Sequence, residues 1–124
     1  MTVSAPFFAP YLSALDAPSR SEVDALPGLT VLEFGTEWCG HCRAAQSAIQ
    51  KALSQLPQWQ HLKVEDGPGR ALGRSYRIKL WPTLILLRAG QEVGRVVRPT
   101  TEPEVLSALN LALTLPPASP AGAV

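Results

Sequence analysis

Residues 29–35 run Leu-Thr-Val-Leu-Glu-Phe-Gly, apolar and β-branched, bounded by Pro27-Gly28 and by Gly35 itself. Such a run predicts a strand buried on both faces, and Glu33 is the one residue in it that does not fit. Over residues 40–56 the period changes. Ala44, Ala45, Ala48, Ile49, Ala52, Leu53 and Leu56 recur at spacings of three and four, which predicts an amphipathic helix that Pro57 ends. Residues 59–65 predict a short strand, Asp66-Gly67-Pro68-Gly69 a turn, and residues 70–76 a short helix. A second apolar strand run covers 83–87, and Ala89-Gly90 turns the chain into 92–97, whose alternation predicts the edge partner of a hairpin. Thr100 or Thr101 caps a last helix, with Pro103 and Glu104 in its first turn and Val105, Leu109 and Leu113 on one stripe. Earlier, Ser19 or Ser21 caps a short helix through Leu26. This order of strands and helices predicts an α/β fold, a central sheet with helices on both faces.

Composition narrows the picture. The 124 residues suit one compact domain, expected over 19–115, with an irregular Pro/Ala lead-in at 1–18 and a disordered Pro/Ala tail at 116–124. A chain of this length buries roughly two thirds of its unfolded surface, so two cysteines are not required as a folding framework and could not build one. Eleven basic against ten acidic residues leave a charge of +1 and no footprint for nucleic acid. The uncharged stretches at 2–15 and 105–124 are broken by prolines, so neither predicts a membrane span. No basic segment precedes the first stretch, as a secretory leader would need, and a cytoplasmic address is expected.

The chemistry concentrates in Trp38-Cys39-Gly40-His41-Cys42, which follows the predicted buried strand and opens the predicted helix. Cysteines three apart at a helix start share a face and lie within reach of a disulfide. Cys39, among the free N–H groups of the helix end, is the expected nucleophile, and Cys42, one turn further in, the buried and protonated thiol that resolves a mixed disulfide. His41 tunes the pair by stabilising the Cys39 thiolate, and Gly40 leaves the sulfur face open. A zinc site would need four ligands. Beyond the two cysteines only His41 and His61 are candidates, so no metal is expected.

The pentapeptide resembles the active-site motif of protein disulfide isomerase domains more closely than the Trp-Cys-Gly-Pro-Cys of thioredoxins. Forty residues beyond Cys42, Trp81-Pro82-Thr83 stands just before an apolar strand, where the thioredoxin superfamily places its cis-proline loop. The resemblance covers residues 19–115. It implies a thioredoxin fold with a mixed sheet, and a monomeric thiol-disulfide oxidoreductase acting on disulfide-containing proteins. An external reductase or thiol would return its electrons, and the reversible Cys39–Cys42 disulfide would be its only cofactor. Pro82 would be cis and face the sulfurs, with Trp38, Trp81, Thr83 and Arg98 beside it on the substrate side, the loop offering backbone groups to an extended segment. Glu33 would be the buried acid that accepts a proton from Cys42, its pKa raised by desolvation.

Three positions depart from the family pattern: bulky Trp81 before the proline, Arg98 where a substrate-loop glycine is usual, and Ser47 in place of a helix-kinking proline. His61 reads as a surface residue at a strand start, with a place near Glu33 as the alternative. Arg70, Arg74, Arg77 and Lys79 read as a solvated face. The competing functional class is a non-catalytic module that holds a partner in the groove around Trp38, Trp81 and Pro82. The His41 argument has a direct test in the reduction potential, expected above the roughly −270 mV of thioredoxin and toward the roughly −180 mV of protein disulfide isomerase. Equilibration with glutathione measures it, and a value at or below the thioredoxin figure would contradict a dominant His41.

Overall fold

A computed structural model describes residues 8–116; residues 1–7 and 117–124, which include nearly all of the tail expected to be disordered, lie outside it. The elements are α1 (Arg20–Asp24), β1 (Leu29–Gly35), α2 (Gly40–Gln55), β2 (Trp59–Glu65), α3 (Ala71–Ser75), β3 (Thr83–Arg88), β4 (Gln91–Val97) and α4 (Glu102–Ala112). Where the sequence left two caps open, the structure takes Ser19 and Thr101. Each has a glutamate three residues on, Glu22 and Glu104, which returns a hydrogen bond to the cap backbone and closes a capping box. Ser21 and Thr100 have no glutamate three residues on, and the Thr100 N–H and hydroxyl donate to the same Glu104 Oε1 from outside the box.

The strands form one mixed sheet in the order β2-β1-β3-β4, with β1 parallel to β2 and β3 antiparallel to both β1 and β4. The two-residue period then sorts the core. Val31, Leu84 and Leu86 turn to one face, against Ala45, Ile49 and Ala52 of α2 and Val105 and Leu109 of α4. Leu32, Phe34, Ile85 and Leu87 turn to the other, against Val23 of α1 and Leu72 of α3, with Tyr76. Leu113 does not continue the α4 stripe. It is the C-cap, 40% exposed, and Ala112 fills the last buried position.

The lead-in is irregular, as the sequence suggests, yet it is fastened to the sheet. Leu12 makes a parallel bridge to Val64, its N–H donating to the Lys63 carbonyl at 2.8 Å and its carbonyl accepting from Glu65 at 2.9 Å. This attachment sets Tyr11 against the α2 face of the sheet. Packing on α4 gives a stability contrast within one helix. Leu109→Ala is expected to cost about 2–5 kcal/mol in urea unfolding, because Leu109 is wholly buried. Leu111→Ala, at a position 56% exposed, should change it by about 0.5 kcal/mol or less.

Candidate active site

The strand period that buries Val31 against α2 also turns Glu33 to that face, and on β2 it turns His61 and Lys63 the same way as Trp59. Opposite them, the start of α2 carries Cys39, Cys42 and Gln46. Cys39 is the N-cap: extended backbone (φ −75°, ψ 120°) leaves its sulfur over the first turn, where the Cys42 N–H donates to Sγ at 3.2 Å. Gly40 and His41 follow as exposed residues of that turn. Both cysteines are buried and reduced. Burial, and then the hydrogen bond with Cys39, push the Cys42 thiol up to about 12, against smaller opposing effects from the Thr36 N–H and the Tyr11 hydroxyl. Cys42 is therefore a thiol at neutral pH.

Glu33 is wholly buried and lies at the centre of a polar cluster. Oε1 stands 2.7 Å from His61 Nε2, and Oε2 accepts from Gln46 Nε2 at 2.8 Å and from the Tyr11 hydroxyl. Gln46 also donates to the Cys42 carbonyl at 2.9 Å, and its own Oε1 accepts from Lys63 Nζ at 2.8 Å. The Lys63 ammonium lies over the Tyr11 ring, 4.4 Å from its centroid. One expectation changes here. Burial does push the Glu33 carboxyl up, as desolvation predicts, but the hydrogen bond and charge of His61, with the Tyr11 and Gln46 donors, outweigh it and hold the pKa below its ordinary value. Glu33 is thus an ionised acceptor and not a carboxyl brought toward neutrality. His61 is exposed on the edge strand β2, as expected, and its imidazole is at the same time paired with Glu33, the alternative the sequence left open.

Gly35 completes the cluster by absence of a side chain. A Cβ there would stand 2.6 Å from Cys42 Sγ and 2.6 Å from the Tyr11 hydroxyl oxygen, so only glycine admits both groups.

An aromatic pair joins Trp38, next to Cys39 in the chain, to Trp81 of the loop before β3. Trp38 is 74% exposed and meets Trp81 edge-on, with centroids 5.7 Å apart and planes at 77°. Trp81 is anchored by its indole N–H, which donates to Asp66 Oδ2 at 2.9 Å. Gly73 leaves the space that the Asp66 carboxylate fills, since a Cβ there would lie 2.0 Å from Oδ1. The Trp81–Pro82 peptide bond is cis. Buried Thr83 opens β3 opposite Phe34 of β1 and donates Oγ1–H to the Leu80 carbonyl at 2.6 Å. Arg98 has φ +50°, the left-handed region that favours the glycine the family pattern expects there. Its N–H donates to the Pro82 carbonyl and its Nε–H to the Trp81 carbonyl, both at 2.8 Å. Two carbonyls of the loop expected to face an extended segment are thus already engaged. Of the basic residues read as a solvated face, Arg70 is paired with Glu65.

Sequence reasoning missed Tyr11, Gly35 and Gln46. Gln46 had a signal, lying four residues after Cys42 on the same helix face. His61 had one in the strand period. Tyr11 had none, because nothing in an irregular segment tells where its side chain goes.

A mixed sheet of this order, with a dithiol at the start of the helix after β1 and a cis-proline opening β3, defines a thioredoxin-fold protein. Comparison with known proteins agrees. The thioredoxin family model matches residues 15–110. The solved structure of reduced thioredoxin 2 from Pseudomonas aeruginosa PAO1 is 50% identical and superposes with a TM-score of 0.75, over 86% of this chain and 97% of that one. Thioredoxin H2-1 of Oryza sativa subsp. japonica is 32% identical over 69 residues, 56% of this chain and 50% of the rice protein. Protein disulfide-isomerase A3 of Gallus gallus is 32% identical over 95 residues, 76% of this chain but 19% of that much longer protein. The chain belongs to the thioredoxin family, whose members include thiol-disulfide oxidoreductases.

The charge on Glu33 gives acid stability a defined sign. A carboxyl depressed by the fold stabilises it above the unfolded value near 4.5, and that stability is lost as pH falls through the lower folded value. Glu33→Gln is therefore expected to lose less stability than wild type between pH 6 and pH 3, read as the urea midpoint. Equal losses in the two proteins would contradict an ionised, depressed Glu33.

Proposed function

We propose that this protein is a dithiol oxidoreductase that reduces or exchanges disulfides in other proteins through Cys39 and Cys42. Cys39 attacks a substrate disulfide, and a mixed disulfide forms as the first substrate sulfur leaves. Cys42 then attacks Cys39 Sγ, the Cys39–Cys42 disulfide forms, and the second substrate sulfur leaves with its electron pair. The single observation that carries the reading is the division of labour within one helical turn. Cys39 is the N-cap with an N–H directed at its sulfur, while Cys42 is buried beneath it and holds its proton to about 12. The reversible disulfide is the only redox group this cycle needs, and an external reductase or small thiol restores the dithiol. The likeness of Cys39-Gly40-His41-Cys42 to isomerase domains supports an exchange role at an intermediate potential, and a cytoplasmic site of action suits the reductive direction.

One observation favours a second reading. Trp38 stands largely in solvent against Trp81, as an aromatic contact for a partner would. In that reading the groove binds and the dithiol is idle. The two separate by mutation. Cys39→Ser is expected to lower the rate of insulin reduction by about a hundredfold or more, since a nucleophile cannot be bypassed. Cys42→Ser should accumulate mixed disulfides, seen on non-reducing gels and dispersed by dithiothreitol. Full insulin reduction by Cys39→Ser would sink the catalytic reading. Partners kept by a variant lacking both thiols, and lost on Trp38→Ala, would establish the second.

A further inference from the structure

The resolving step leaves a chemical problem: Cys42 must give up a proton it holds firmly, and Glu33 is the buried group charged to receive it. The hydroxyl between them belongs to Tyr11. It donates to Glu33 Oε2 and stands beside the Cys42 thiol, each of the two atoms 2.6 Å from the point a Gly35 Cβ would occupy. Cys42 Sγ and this hydroxyl are the nearest groups to the vacancy left by Gly35, which brings the two together. We propose that Tyr11 is a catalytic proton relay, passing the Cys42 proton to Glu33 as the thiol becomes a nucleophile. The proposal rests on Cys42 being the resolving thiol.

The step balances. The Cys42 S–H proton moves to the Tyr11 oxygen while the Tyr11 O–H proton moves to Glu33 Oε2. The freed electron pair on Cys42 forms the bond to Cys39 Sγ. The bond from Cys39 to the substrate breaks, and its electron pair leaves on the substrate thiolate, which takes a proton from water. When an external thiol reduces the Cys39–Cys42 disulfide, the same path runs backward, and Cys42 leaves as a thiol with the proton returned from Glu33. Tyr11 cannot be the final acceptor. Burial, with the Glu33 charge beside it, pushes its own hydroxyl far above the ordinary phenol value, so it keeps one proton throughout and only exchanges which one.

The surroundings fit transfer and not storage. Charged or titratable groups reach Tyr11 from each packed element: Glu33 from β1, Glu37 from the loop after it, Cys42 and Arg43 from α2, and Lys63 from β2, with His61 behind Glu33. The Tyr11 N–H donates to Glu37 Oε1 at 2.6 Å, and the Lys63 ammonium sits on the ring face. Backbone and ring are both held, and the hydroxyl is left to the two reacting partners and Gln46, which donates to it at 3.3 Å.

The chromogenic disulfide dithiobis(nitrobenzoate) separates the steps, releasing one coloured thiol when Cys39 attacks and a second when Cys42 resolves. Tyr11→Phe keeps the ring over Lys63 and removes only the hydroxyl. Its first release is expected within about twofold of wild type. Its second is expected about a hundredfold slower at pH 7, with the deficit shrinking steadily toward pH 10 as hydroxide replaces the relay. A purely structural role for Tyr11 would slow both releases or give a deficit independent of pH, and either result, or a second release at the wild-type rate, overturns the relay. Cys42→Ser distinguishes the underlying reading: one release supports it, and two would sink that reading and the relay with it. Should Tyr11→Phe fail to fold, the wild-type second release in mixtures of light and heavy water decides. Two protons in flight make its rate curve with deuterium fraction, whereas a straight line or no dependence overturns the proposal.

Discussion

The carboxylate of Glu33, wholly buried in the interior strand β1 of a four-stranded sheet, sets the terms for everything around the two sulfurs. An unpaired charge at such a depth would cost several kcal/mol, so the fold must bring donors to it. It does so from three separate parts of the chain: Tyr11 from the segment before α1, Gln46 from α2 and His61 from β2. Lys63, which faces Glu33 across the strand register, is tied instead to Gln46 and to the Ala9 carbonyl. The charged residues of β1 and β2 thus hold the lead-in and α2 in place together. An apolar residue at 33 would satisfy the sheet with no such apparatus.

The cysteines show how little distance chemical asymmetry requires. Both are buried and three residues apart on one helix. Cys39 lies outside the helical hydrogen-bond ladder, with a backbone N–H aimed at its sulfur. Cys42 lies inside it, over the polar cluster, with a thiol raised chiefly by burial. The loop before β3 is braced by side chains as well. Asp66 holds Trp81 and Arg98 holds the carbonyls of Trp81 and Pro82, so the loop is fixed by contacts within the chain.

Much of this was legible because it is local. Buried strands were read from apolar runs, α2 from its period of three and four, and the cysteines at its start from spacing alone. The caps were legible only as pairs, Ser19 or Ser21 and Thr100 or Thr101, although Glu22 and Glu104, three residues beyond Ser19 and Thr101, carry the signal that separates them. Glu33 was legible as an anomaly, a charge in a strand that should have none. Its ionisation state was not, because desolvation is visible in sequence while the donors that outweigh it come from residues 11, 46 and 61. The pairing of His61 with Glu33 was left open for the same reason: it depends on which way the β2 pleat falls against α2.

The amino-acid sequence by itself determined the elements, their order, and a dithiol at a helix start, since these follow from short-range periodicity, caps and spacing. Only the tertiary structure decided that Tyr11 stands between Cys42 and Glu33, that Gly35 makes room for both, and that Arg98 covers the loop carbonyls. Each of those contacts joins residues far apart in the chain, and the physical reason is common to them. Period and propensity act over a few residues, whereas the satisfaction of a buried charge or carbonyl depends on whatever group the completed fold carries to it.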